Sequence, residues 1–212
     1  MIRVMKYLLL ALFSFSLFAK EVHPIAKVNQ WCKEEKEMTE GRHFIFGALA
    51  SVSSDGRPHT RMMEISHFDK ESGALFFAHK HSQKVEHFLF NPYASLTVYL
   101  PKTHRQFTLD GKVTEVSRSD AEKSWKKMPR YMQLTFLASN HKDPLASEEV
   151  LQQRKEALEK EFPKEIPLPD VFIGYRLKPD HMTFYQINHR SFPKKEVATC
   201  DKKNWITAQV EP

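Results

Sequence analysis

The sequence predicts a mainly β fold with inserted helices, closed as a small antiparallel barrel. Three observations predict it. Short apolar or alternating runs recur along most of the 212-residue chain, separated by turn-forming residues. Few stretches carry helical periodicity. No internal repeat or break in composition follows residue 19, so residues 20–212 read as one domain. A chain that is 41% hydrophobic and 12% aromatic, with only 6 Gly and 12 Pro, can fill a packed core and is not a disordered or collagen-like sequence.

The elements follow in order. Arg3 and Lys6 precede an uninterrupted apolar and small-polar run over 7–19, short for a membrane span but the length of a secretory h-region. Residues 1–19 are therefore expected to be a signal peptide cut after Ala19, with export to a periplasmic or secreted location and no stable membrane insertion afterwards. Residues 26–38 place Val28, Trp31 and Cys32 on one side of a short amphipathic helix. The β-rich run 43–53 and its return over 59–68 flank Asp55-Gly56, two residues that tolerate φ > 0 in a hairpin. A turn over 70–73 leads to a third strand, 74–78. Ser82 can cap a helix that runs to Phe90 and stops at Asn91-Pro92. Strands are expected over 94–100 and 105–116. Ser119 with Glu122 forms a capping box for a helix that meets Pro129. Residues 147–162 make a charged helix whose interleaved Glu and Lys suit a solvated face. After Pro163, Pro167 and Pro169, strands are expected over 171–177, 182–187, 196–200 and 205–210.

Lys+Arg 32 against Asp+Glu 26 gives +6, or +4 once Arg3 and Lys6 leave with the leader. That modest excess suits an anionic small molecule or an acidic surface, and without a dense basic run no nucleic-acid partner is expected. Two cysteines, Cys32 and Cys200, exclude a disulfide scaffold and a Cys-only zinc site, though export would permit a bridge between them. There is no nucleophile elbow, phosphate loop or dinucleotide fingerprint. Of eleven histidines, His79, His81 and His87 lie close in sequence, but no His pairs with an acid at i, i+4 on a helix, so no metal is expected.

Two segments carry a resemblance. One runs Glu165-Ile-Pro-Leu-Pro-Asp-Val-Phe-Ile-Gly-Tyr-Arg-Leu-Lys-Pro-Asp-His-Met-Thr-Phe-Tyr-Gln186. The other runs from Asp55-Gly-Arg-Pro-His-Thr-Arg61 through Ser82-x-Lys84, Asn91-Pro92 and Arg105-Gln106 to Gly111. Together they resemble the pyridoxamine 5′-phosphate oxidase family, over about residues 42–212. The resemblance implies an FMN-binding split β-barrel, usually a homodimer with two flavin sites across the interface.

Residue by residue, it implies that Arg61 and Lys84 hold the phosphate of flavin mononucleotide (FMN), with Ser82 at the helix start and Gln83 where the family has a second Arg. Backbone from Met62 to Ser66 would run along the flavin ring. Phe77-Ala78 stand for Tyr-Thr, Gln106 matches the flavin-contacting Gln, Tyr185 replaces a Trp, Lys194 takes the place of an Arg, and His141-Lys142 stand where Gln-Ser are usual. For the substrate, the family's Lys, Tyr, Arg and Ser read here Ser66, Ser124, Met128 and Met132. Arg190 survives from the family's Arg-x-His as the catalytic candidate, while Phe192 replaces the His. Two thioethers cannot bind a phosphate dianion, so the pocket reads as rebuilt for a less anionic small molecule. Core packing also accounts for Met128 and Met132. The implied function is an FMN-dependent oxidoreductase. B6-phosphate oxidation through a diverged pocket and a non-catalytic split barrel binding flavin, haem or a protein partner stay open beside it.

Overall fold

The computed structural model describes residues 23–39, 44–140, 144–202 and 204–212. The expected leader 1–19 and the pair His141-Lys142 lie outside the described residues.

Alternation of buried and open residues builds the first hairpin. In β1 (Phe46–Val52), Gly47, Leu49 and Ser51 point inward, and β2 (Pro58–Glu64) pairs with it so that Leu49 faces Arg61. The connection over 53–57 is longer than a two-residue turn. Only Gly56 takes the left-handed conformation (φ 83°), and Ser53 N–H donates to Arg57 O at 2.9 Å. The return strand expected over 59–68 is extended but changes partner midway. Ile65 N–H donates to Ile45 O (2.8 Å), continuing the pairing with β1, and Ser66 N–H donates to Leu75 O (2.8 Å), opening the pairing of β3 (His67–Asp69) with β4 (Gly73–His79). That switch ties one end of the sheet to the other.

Among the described residues the strands form one nine-stranded antiparallel sheet in the order β2-β1-β5-β6-β7-β4-β3, with β8 and β9 attached to β7. Here β5 is Tyr93–Leu100, β6 Arg105–Glu115, β7 Phe172–Gln186, β8 Lys194–Asp201 and β9 Asn204–Val210. The two short strands expected over 171–177 and 182–187 are thus one strand of 15 residues. It pairs with β6 along its length, and on its other edge with β4 through Leu177 and with β8 from His181 onward. The pairing survives Pro179 through a bulge: Asp110 faces His181 and Gly111 faces Pro179, which leaves Asp180 extra.

Five helices are described. Helix α1 (Pro24–Glu37) lays Ile25, Val28 and Trp31 on the main core, with the Trp31 ring edge-on to Phe184 (5.4 Å). Its Glu35 is fully buried and accepts from Lys102 N–H (2.8 Å) and Thr103 N–H (2.9 Å) in the β5–β6 turn. Helix α2 (Gln83–Phe90) packs on β1. Helix α3 (Arg118–Lys127) starts two residues earlier than the expected capping box: Ser117 Oγ accepts from Asp120 N–H (3.1 Å), and Glu122 pairs with Lys126 (2.8 Å) instead of reaching back. Pro129 ends that helix and caps a second, α4 (Arg130–Ala138), which the sequence reading did not anticipate. Helix α5 (Glu148–Glu161) buries none of its residues, as its interleaved charges suggest. A smaller core of Trp125, Leu134, Ile166 and Phe172 joins α3 and α4 to the start of β7, with Trp125 Nε1 donating to Ile166 O (2.9 Å).

Cys32 and Cys200 are free thiols, both half-buried against the main core, so the permitted bridge is not formed. Burial, with Glu35 nearby, pushes the Cys32 thiol up to about 12 and keeps it un-ionised.

The bulge fixes Gly111 sterically. A Cβ there would stand 2.1 Å from Lys178 O, which is backbone and cannot turn aside. Gly111→Ala is expected to destabilise the protein by about 2–4 kcal/mol, read as a lower urea midpoint with unchanged slope.

Candidate functional site

A cationic pair lies where β2 meets the start of α2. Arg61 points inward from β2, and its Nη1 donates to Leu49 O (3.1 Å) and Ser51 Oγ (2.7 Å). Ser51 Oγ also lies 2.9 Å from His87 Nδ1 on α2. Ser82 is the N-cap of α2 in extended conformation, but its hydroxyl makes no capping bond. It is buried and accepts from Lys84 Nζ at 3.1 Å. Gln83, the first residue of the helix, is exposed.

The electrostatics of this pair are unfavourable in isolation. Burial, and then the Arg61 charge, push the Lys84 ammonium down to about 8, and burial lowers Arg61 too. Among the described residues neither cation pairs with a carboxylate. Two half-buried like charges beside the N–H groups of a helix start fit an anion, and a phosphate in particular. Arg61, Ser82 and Lys84 are therefore brought together as expected.

A cavity of about 500 Å³ opens between the β2–β3 switch and helices α3 and α4. It collects Met62, Ser66 and Phe77 from the expected flavin set, and Ser124, Met128 and Met132 from the expected substrate set. Ala78 is not on its wall: its methyl is in the main core, opposite Ile173. Met128 faces this cavity as well as the small core, and Met132 lines the cavity, so core packing alone does not explain them. Lys127 also lines it, whereas Lys126 is occupied by Glu122. Arg130 turns away and donates to Lys164 O (2.6 Å) and to Phe162 O, and so does not replace the missing Arg at Met128. The sequence reading missed Phe44, His67, Pro129, Phe136 and Phe172 on the wall, while Met63 and Glu64 fall within the expected run Met62 to Ser66. Of these, His67 is pushed down by burial, Arg176 and Lys127, and so is neutral at pH 7. Only the β-alternation around Ser66 and the aromatic spacing at Phe172 could have signalled them.

The remaining expected residues stand elsewhere. Gln106 and Tyr185 face each other across β6 and β7, with Tyr99 beside Gln106 and Lys195 beside Tyr185. Arg190 and Lys194 line a second recess of about 400 Å³ with Gln186, Asn188 and His189. Along β7, Tyr185 lies eleven residues beyond Gly174, the partner of Phe77. At about 3.3 Å per residue that is roughly 36 Å of strand. None of Arg190, Gln106, Tyr185 and Lys194 lines the cavity that holds Met62 and Phe77. On the open face of the sheet between them Met62, Ala48, Thr97, Thr108 and Thr183 form one row, with Thr97 and Thr108 hydroxyls 3.0 Å apart and exposed Phe46 and Tyr99 at its side.

No described group of three or more His, Cys, Asp or Glu side chains could hold a metal ion. His79 and His81 stand together (ring centroids 5.5 Å apart), while His87 is engaged with Ser51 and His59. No described helix is long and apolar enough to cross a membrane.

Comparison with known proteins places this geometry in a family. The sequence profile described as pyridoxamine 5′-phosphate oxidase matches residues 34–159. A pyridoxine/pyridoxamine 5′-phosphate oxidase of Leptospira biflexa is 30% identical over 190 residues, 89% of each chain. A pyridoxine-5′-phosphate oxidase of Dictyostelium discoideum is 30% identical over 196 residues, 89% of this chain and 84% of the other. Among solved structures, PhzG of Burkholderia lata in complex with tetrahydrophenazine-1-carboxylic acid superposes with a TM-score of 0.83 at 26% identity, over 92% of this chain and 95% of that one. An FMN-binding, pyridoxamine 5′-phosphate oxidase-related protein of Nostoc punctiforme shares the fold (TM-score 0.69, 16% identity, 88% and 96% covered). The architecture described above is this split barrel.

The strain at Lys84 has a measurable sign. With its folded pKa near 8 and its unfolded pKa near the ordinary lysine value, the unfolded chain binds more protons between those values. Without an anion, stability should therefore rise as pH climbs from about 8 to about 10.5. Lys84→Met should abolish that rise and lift the melting temperature of the anion-free protein near pH 7, as thermal denaturation across the pH range would record.

Proposed function

The chain belongs to the pyridoxamine 5′-phosphate oxidase family, and from that premise we propose that it is an FMN-dependent oxidoreductase acting on a small molecule less anionic than a B6 phosphate. The observation that carries the flavin reading is the unneutralised pair of Arg61 and Lys84 at the start of α2. A nucleotide phosphate carries about −1.5 to −2 charges and would relieve that repulsion. Bound flavin supplies hydride chemistry at its ring. The chain supplies the rest: Arg61 and Lys84 hold the phosphate, Ser82 orients the Lys84 ammonium, and backbone from Met62 to Ser66 borders the cavity into which the ring would extend.

Gln106, Tyr185, Lys194 and Arg190 serve this site only from a second copy of the chain. We therefore read the protein as a homodimer closed over the small-residue face of Ala48, Thr97 and Thr108. In that arrangement Arg190 enters as the catalytic candidate on the substrate side. Cavity chemistry supports the substrate class: Met62, Met128, Met132 and Phe77 offer apolar wall, and Lys127 with the opposing carboxylate of Glu64 leaves little net charge. The tetrahydrophenazine-1-carboxylic acid held by PhzG, a fused ring bearing one carboxylate, is a ligand of that kind. Export is part of the proposal, on the strength of the leader-like run 7–19, and would require the flavin to be acquired after passage or the protein to fold before it.

Purified full-length protein should show the two visible flavin bands and release FMN on denaturation, and Arg61→Ala should weaken FMN by about ten- to a hundredfold. A colourless protein that takes up no FMN would overturn the reading, and a Soret band would replace it with haem binding. Sedimentation should show a dimer, and Thr97→Arg, which puts a charge in the middle of the small-residue face, should yield monomers with weakened flavin binding.

A further inference from the structure

The Arg61 guanidinium is not aimed by its strand alone. Its Nη1 is spent on Leu49 O and Ser51 Oγ, and the same hydroxyl meets His87 Nδ1 at 2.9 Å. Ser51 is 1% exposed and His87 5%, so water does not stand in for either partner. Arginine only donates. The Ser51 oxygen therefore accepts from Arg61, and in the tautomer with the ring proton on Nε2 its hydroxyl donates to His87 Nδ1.

We propose that Ser51 and His87 form a relay behind the anion site, in which His87 is a positioning residue that aims Arg61 through Ser51 and takes up a proton when a phosphate-bearing ligand binds. The proposal rests on Arg61 and Lys84 being a phosphate site. Charged and titratable neighbours surround His87 from each packed element. His59 (ring centroids 4.9 Å) and Arg61 come from β2, Asp55 from the β1–β2 turn, and Lys84 and Glu86 from its own helix. Burial, His59 and Arg61 hold the imidazole below its usual range against the opposing pull of Glu86 and Asp55, so it is neutral while the site is empty. A dianion between Arg61 and Lys84 reverses the local field. The Ser51 hydroxyl proton then rotates away from the ring, and the protonated imidazole donates from Nδ1 to the second lone pair of Ser51 Oγ while Arg61 keeps the first. Because the bound state holds the proton more tightly, affinity for the ligand rises as pH falls through the histidine range.

The test measures FMN affinity by flavin fluorescence between about pH 7.5 and about pH 5.5, a range in which Lys84 is mostly charged. Full-length wild type is compared with His87→Gln, His59→Gln and Ser51→Ala. His87→Gln keeps an acceptor for Ser51 but cannot titrate, and it carries the same phosphate titration of FMN itself as a control. Across that range the wild type should gain about fivefold more affinity than His87→Gln, whose affinity at the upper pH should stay close to wild type. Ser51→Ala should bind about tenfold more weakly at every pH. Equal slopes in wild type and His87→Gln overturn the relay while leaving the flavin reading intact. Flattening in His59→Gln but not in His87→Gln also overturns it, by moving the proton to His59. If no FMN binds at any pH, the flavin reading fails. The relay is then decided by histidine ring NMR, where added inorganic phosphate should raise the His87 pKa in wild type but not in Arg61→Ala, and no response overturns it.

Discussion

β6 and β7 run antiparallel for most of their length, and the other strands attach directly or indirectly to this ladder. One extra residue, Asp180, lets β7 continue past Pro179 and change its outer partner from β4 to β8. The close approach at Gly111 is the steric cost of that bulge, since no side chain fits against the Lys178 carbonyl. From this ladder the sheet curls in two directions. One arm reaches β2, whose continuation into β3 returns to β4 and places Arg61 beside α2. The other arm carries β8 and the segment holding Arg190 and Lys194.

Function in such a frame depends on what the two arms leave unsatisfied. Near α2 the fold concentrates Arg61, Lys84, His59 and His87 with no described carboxylate paired to either of the first two, an arrangement that weakens the empty protein and favours an anion. Between the arms lies a cavity whose wall mixes thioethers and aromatic rings with Glu64, His67 and Lys127. The recess of Arg190 and Lys194 shares no lining residue with that cavity, and the proposed homodimer is what would join the two.

Much of the scaffold was legible beforehand. Alternation, the Asp55-Gly56 turn and the proline positions located the β-rich runs, and the motif from Asp55 to Gly111 named Arg61, Ser82 and Lys84, which the fold brings together at the start of α2. Reading failed where the signal is relational. Local pattern marks Pro179 as a break, yet the strand persists because a bulge absorbs the missing donor. Ser119-x-x-Glu122 looks like a capping box, but the end of β6 delivers Ser117 in the extended conformation a cap requires. Pro129 reads as a stop and is also a start, because its fixed φ suits the entry of α4 as well as the exit of α3.

By itself, then, the sequence determined the β-rich character of the chain, its family resemblance and the identity of the cations at the start of α2, because these depend on residue type and short spacing. Only the tertiary structure decided that β2 changes partner at Ile65 and Ser66, that Met128 and Met132 share a cavity with Met62 and Phe77, that Ser51 joins His87 to Arg61, and that Arg190 stands apart from all of them. Those facts depend on strand pairing between residues distant in the chain, and no local window of sequence contains the register that sets it.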